Sequence, residues 1–220
     1  MGHVIVTSIS LIWVLLTIVA TLAVLSALLT PKWLIGPQRI GYVNGTAVSF
    51  SAPSVGVFSR CTRLNGANNC AIFAMDGLAT DPSVFPTFWK LTLVLFAMGL
   101  TIMTFSTMTA LLSCCVQSIN KKSIFTTTGA IQSLAGIFYI LGIIMYAAGW
   151  GTPRVVRLCG VEAHPFYLAD CSIGWSVYCA MGGTILTLVT ASLSVAAEKA
   201  TSSDKVGRHV EKGETLVCLL

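Results

Sequence analysis

The chain has 220 residues, of which 55% are hydrophobic and 10% charged, with a formal net charge of +5. A soluble domain carries about 25% charged residues, so this composition excludes an ordinary water-soluble globular protein. Its longest basic run is Lys121-Lys122, too short for a nucleic-acid-binding face.

Four stretches contain no Asp, Glu, Lys or Arg: Val4 to Pro31, Leu91 to Asn120, Ser123 to Pro153 and Cys171 to Ala197. Each exceeds the roughly 20 residues a helix needs to cross about 30 Å of hydrocarbon. In lipid a helix satisfies its own backbone hydrogen bonds without a partner. Spans are therefore predicted at 4–30, 91–116, 124–148 and 173–197, giving an all-α membrane protein, a left-handed four-transmembrane-helix bundle with both termini on one side. The first span follows Met1-Gly2-His3, which lacks Lys and Arg, and it outruns a signal-peptide core of about 7 to 15 residues. It reads as an uncleaved signal anchor.

The first connection, 31–90, is too long to lack structure of its own. Trp33 to Ile35, Ile40 to Val43 and Val55 to Phe58 are strand-like segments separated by Gly, Pro, Asn and Ser. Asn65-Gly66, the dipeptide suited to a tight hairpin turn, lies between Cys61 and Cys70, which predicts a hairpin from about Val55 to Phe73. The sequon Asn44-Gly45-Thr46 makes Asn44 the candidate glycosylation site. The second connection, 117–123, is a tight turn. Just before it, Cys114 and Cys115 are adjacent, a poor geometry for a mutual disulfide, and are candidates for S-palmitoylation or for simple packing at the membrane end. The third connection, 149–172, holds Cys159 and Cys171, and about Gly151 to Asp170 is expected to add one edge strand. Four loop cysteines allow three connectivities; the within-loop pairs Cys61–Cys70 and Cys159–Cys171 are preferred because each closes a short ring, and both imply an oxidising compartment. The tail, 198–220, ends in Cys218-Leu219-Leu220, which is not a prenylation box; it suits either a weak PDZ contact or an unengaged tail.

Counting Lys and Arg does not choose a side. The Lys121-Lys122 turn, the sequon and the paired cysteines together predict cytosolic termini, with the first and third connections extracytoplasmic. Trp33, Trp89, Trp150 and Trp175 fall at the span ends facing those two connections, where indole rings favour the headgroups. All seven prolines also lie there, leaving each span unbroken, unlike the interrupted helices of many transporters.

The spans hold no ionisable polar constellation, and His3, His164 and His209 are scattered outside them. No catalytic residue, metal site or cofactor is expected, and the chain is not expected to be an enzyme. In the fourth span Cys179, Gly183, Thr187 and Ala191 recur at i, i+4, a stripe of small residues that lets helices approach closely, within the bundle or against a partner's span. Gly129 and Ser133 form a weaker example in the third.

Trp33, followed by Gly56-Val57-Phe58-Ser59-Arg60-Cys61 and later Cys70, resembles the claudin-type signature, with Phe58 standing where claudins have Trp. Across nearly the whole chain the sequence is more similar to the LHFP-like (lipoma HMGIC fusion partner-like) tetraspan family. The segments that carry this are Cys115-Val116-Gln117-Ser118-Ile119, Lys121-Lys122-Ser123-Ile124-Phe125, Ala148-Gly149-Trp150-Gly151, Asp170-Cys171-Ser172-Ile173-Gly174-Trp175 and Ala200-Thr201-Ser202-Ser203-Asp204-Lys205-Val206. The resemblance implies a claudin-like fold with a small extracellular β-sheet beside the bundle. It also implies a non-catalytic auxiliary, assembly or trafficking subunit of a partner membrane protein such as a channel or receptor, in the plasma membrane or an endomembrane. The alternative is a claudin-like cell-contact or barrier protein. Expected partners are membrane lipid, that membrane protein and a second copy of the chain, with no nucleic acid.

Overall fold

The computed structural model describes residues 4–38, 40–43, 46–49, 52–64, 67–73, 85–112, 118–119, 122–203, 206–208 and 216–219. Its helices are α1 (Ser8–Leu29), α2 (Thr87–Leu112), α3 (Ile124–Ala148), α4 (Pro153–Cys159) and α5 (Trp175–Thr201), with a 3-10 turn at Gly149–Gly151. Apart from α4, each is long and apolar enough to cross a membrane. The strands are β1 (Val4–Thr7), β2 (Leu34–Ile35), β3 (Ile40–Val43), β4 (Thr46–Ser49), β5 (Ser54–Val55), β6 (Ser59–Leu64), β7 (Ala67–Ile72), β8 (Ser118–Ile119), β9 (Lys122–Ser123), β10 (Ser172–Ile173) and β11 (Leu216–Leu219). Four apolar helices with a small antiparallel sheet inserted between them give a tetraspan claudin-like fold.

Local chemistry sets the ends of α1. The uncharged run begins at Val4, yet the helix starts at Ser8, because Val4–Thr7 is a strand. Thr7 and Ser10 cap the helix reciprocally: the Ser10 amide donates to Thr7 Oγ1 at 3.3 Å and the Thr7 amide donates to Ser10 Oγ at 3.0 Å. This is a capping box with Ser in place of the usual Glu or Gln. At the other end Pro31 has no N–H to give the Ala27 carbonyl four residues earlier. Trp33 Nε1 donates to that carbonyl instead, at 2.7 Å, and Thr30 Oγ1 donates to the carbonyl of Ser26.

The chain forms two compact units, to each of which the four long helices contribute. The first comprises Met1–Val24, Met98–Phe138 and Gly182–Leu220. Its core gathers Trp13, Val14, Ala110, Phe125 and Ala197; the Trp13 ring lies 5.3 Å from Phe125, and its Nε1 donates to the Thr190 carbonyl at 3.0 Å. Polar and small side chains face inward here, including Thr17, Gln132, Thr187 and Thr190, whereas Ile12, Leu15, Val19, Leu22, Phe105 and Ile185 face outward. That inverts the polarity of a soluble helix and matches a lipid-facing one. The unit also contains the β8–β9 hairpin and the parallel pair β1–β11, with Val4 opposite Leu216 and Thr7 opposite Leu219. The tail segment Leu216–Leu219 is therefore engaged by β1 rather than unengaged.

The second unit comprises Leu25–Ala97 and Tyr139–Met181. Its five-stranded sheet has the order β10-β2-β5-β6-β7, all neighbours antiparallel, and β3–β4 is a separate hairpin. The expected hairpin begins at Ser59 rather than Val55, since Val55 belongs to β5 and pairs with Arg60. Its strands end at the Leu64–Ala67 pair, and Asn65-Gly66 lies outside the described residues. The edge strand expected within Gly151 to Asp170 falls just beyond, at β10, because α4 occupies the start of that connection. Pro153 supplies the fixed φ of a first helical position and Gly160, at φ 107°, follows the last one.

Packing also changes the reading of the tryptophans. Trp33 and Trp89 are fully buried and Trp150 nearly so, leaving only Trp175 of the four substantially exposed. Trp33 lies 4.7 Å from the Tyr146 ring and 5.6 Å, edge-on, from Phe96, while Trp89 stacks on Tyr146 at 5.1 Å. Three of the four rings expected at the headgroups thus pack inside this unit, where Trp33 and Trp89 also find carbonyl acceptors for their N–H groups, at Ala27 and Tyr146.

Candidate functional site

In the first connection, Cys61 and Cys70 face each other across β6 and β7 and form a disulfide with 4.1 Å between their Cα atoms. Cys159 ends α4 and is bonded to Cys171, just before β10, with 4.9 Å between Cα atoms. The Asp170 amide donates to the Cys159 carbonyl at 3.1 Å, closing the same ring through the backbone. The second bridge therefore links α4 to the edge strand of the sheet.

Two of the three signature residues, Trp33 and Gly56, act on the join between α1 and the sheet, and the third, Phe58, acts within the sheet. Trp33 closes the helix end, as described. Gly56 is needed for a close backbone approach: a Cβ there would stand 2.9 Å from both Pro31 Cα and the Thr30 carbonyl oxygen. Phe58, half-buried, receives the Phe73 amide on its carbonyl at 2.8 Å and so holds the end of β7. Gly174, from a segment that carries the family resemblance, permits a similar approach: its amide donates to the Trp33 carbonyl at 2.8 Å, and a Cβ would strike the Lys32 carbonyl oxygen.

Three members of the small-residue stripe are buried in the first unit. A Cβ on Gly183 would stand 2.6 Å from Val24 Cγ2, Thr187 is fully buried and donates to the Gly183 carbonyl at 2.8 Å, and Ala191 presents its backbone oxygen 2.9 Å from where a Gly129 Cβ would be. Cys179 belongs to the second unit, half-buried, with its Sγ 3.7 Å from Ser26 Oγ. Ser133 donates to the Gly129 carbonyl at 3.1 Å. Asn44, Cys114 and Cys115 lie outside the described residues.

Gln132 was not singled out in sequence. It is fully buried in α3, donating from Nε2 to Thr17 Oγ1 at 3.2 Å, while its Oε1 has no hydrogen-bond partner among the described residues. A lone Gln in an uncharged span is the signal that would have found it. Two apolar residues of the third connection are also exposed: Val161 is 90% and Phe166 62% exposed, and Phe166 holds φ 64° while its amide donates to the Ala147 carbonyl at 3.1 Å. Among the described residues, no three His, Cys, Asp or Glu side chains are grouped so as to hold a metal ion.

The sequence profile described as "Lipoma HMGIC fusion partner-like protein" matches residues 9–196. The chain is 40% identical to the human LHFPL tetraspan subfamily member 2 protein and 37% identical to the Danio rerio member 2a protein, in both cases over 100% of each chain. It is also 25% identical to the Bos taurus member 4 protein, over 34% of this chain and 30% of that one.

Proposed function

We propose, from the premise that this chain belongs to the lipoma HMGIC fusion partner-like tetraspan family, that it is a non-catalytic auxiliary subunit assisting the assembly or trafficking of a partner membrane protein such as a channel or receptor. The observation that carries this reading is the polarity of the spans. The hydroxyls of Thr17, Thr128, Thr187 and Thr190 and the Gln132 amide are turned inward, while large apolar side chains such as Ile12, Leu22, Phe105 and Ile185 face outward, so the helices present apolar surface to a neighbour. The two disulfides staple the loops that carry the sheet, and Val161 and Phe166 are exposed apolar groups in the third connection. Phe166 sits in a left-handed conformation that costs a non-glycine residue about 1 kcal/mol or more, the kind of strain that accompanies recognition sites. Cytosolic termini, with the sheet extracytoplasmic in the plasma membrane or an endomembrane, belong to the same reading.

Crosslinking in cells followed by detergent extraction and affinity purification tests it. One stoichiometric membrane partner is expected; a protein recovered only with itself would overturn the role. The exposed loop residues also suit the alternative of a claudin-like cell-contact protein. Expression in cells without junctions separates the two, because strands seen by freeze-fracture belong only to the contact protein.

A further inference from the structure

A cleft of about 390 Å³ opens in the second unit between the sheet and α4, within the size range of small-ligand and peptide-anchor sites. Arg60 and Thr62 lie two apart on β6, so they share one face of the sheet, and Val55 stands opposite Arg60 on β5. Arg154 and Arg157 are three apart on α4 and so share one face of that helix. The cleft thus has three guanidinium groups from two elements on its polar side, and Pro53, Val55 and Leu158 on its apolar side. Among the described residues, none that lines it is acidic.

The charges are held together at a cost. Arg154 is half-buried with its Cζ 4.0 Å above the Phe73 ring, which fixes the guanidinium in place. Burial and then repulsion from Arg60 push its pKa below the ordinary arginine value, although it remains protonated at any physiological pH. Like charges gathered in this way favour an arriving anion, and guanidinium forks match a carboxylate in bidentate geometry.

We infer that this cleft binds an acidic peptide segment, a carboxylate side chain flanked by apolar ones, supplied by the extracytoplasmic part of the partner protein. The apolar wall favours a peptide over a sulfated glycan, which would leave Val55 and Leu158 uncovered. The identity of the donor rests on the auxiliary-subunit reading; the binding chemistry does not.

The test uses purified full-length protein in nanodiscs and fluorescence anisotropy of a rhodamine-labelled, amidated peptide, Leu-Glu-Leu-Glu-Leu. It should bind at least about tenfold more tightly than its Leu-Gln-Leu-Gln-Leu counterpart, and Arg60→Gln with Arg157→Gln should remove that preference. Both arginines are exposed, so these variants should fold, which protection of all four loop cysteines from alkylation verifies. Arg60→Lys with Arg157→Lys keeps the charge but not the fork, and should bind between the two. Equal binding of the two peptides, an undiminished preference in the Gln variant, or displacement by a heparin tetrasaccharide at concentrations below those of the peptide itself would overturn the proposal. The assay contains no partner, so its failure counts against the cleft alone, whereas loss of the crosslinked partner in cells counts against the auxiliary role.

Discussion

Pro31 and Trp33 form a pair in which one residue creates a need and the other meets it. Pro31 leaves the Ala27 carbonyl without its helical donor, and the Trp33 indole supplies one at 2.7 Å from a fully buried position. Trp33→Phe keeps most of the ring but leaves that carbonyl unsatisfied, which should cost about 1 to 3 kcal/mol. Trp33→Ala also empties the space beside Tyr146 and Phe96, raising the loss to about 3 to 5 kcal/mol. Thermal unfolding of the purified protein in one detergent should rank parent, Phe and Ala in that order; a Phe variant as stable as the parent would show that the hydrogen bond contributes nothing. Gly174 poses a sharper constraint, because what a Cβ would meet is backbone, the Lys32 carbonyl, rather than a flexible side-chain end. Gly174→Ala should detach β10 from β2 and hold the protein in the secretory pathway, read as loss of surface biotinylation. Normal delivery would mean that the sheet tolerates the missing edge.

Helix packing separates two adjacent residues that composition treats alike. On α5, a Cβ at Gly182 meets nothing within 4 Å, whereas one at Gly183 meets Val24 Cγ2 at 2.6 Å and the Val24 amide nitrogen at 3.2 Å. Gly182→Ala should therefore be neutral or stabilising by up to about 1 kcal/mol through helix propensity. Gly183→Ala should destabilise by about 1 to 3 kcal/mol through overpacking. Melting points that move together would contradict this assignment of faces. The i, i+4 stripe made Gly183 visible in the sequence because a helix repeats every 3.6 residues, and long uncharged runs revealed the four apolar helices for a similarly plain reason. Other features follow from no such period. Hydropathy cannot tell a strand from a helix in a short apolar run, so β1 was absorbed into the first span. The seven residues of α4 are too few to show a repeat, leaving Pro153 and Gly160 as its only marks. The grouping of Arg60 with Arg154 needed the fold itself, since 93 positions of sequence separate them.

Four spans return the chain to the side from which it set out, and the parallel pairing of Val4–Thr7 with Leu216–Leu219 requires that return. If the termini are cytosolic, Asn44 is on the side where glycans are added, so Asn44→Gln should remove a mass shift sensitive to an amidase; a parent with no such shift would withdraw that support for the orientation. The terminal pairing can be tested directly. Val6 stands opposite Cys218, and paired strands bring Cα atoms within disulfide range. Val6→Cys should therefore give an oxidant-dependent link between the N- and C-terminal peptides, identified after digestion by mass spectrometry, while Ile5→Cys, opposite Val217, should not. Failure of Val6→Cys to form the link, or an equal yield from Ile5→Cys, would overturn the pairing of the two strands.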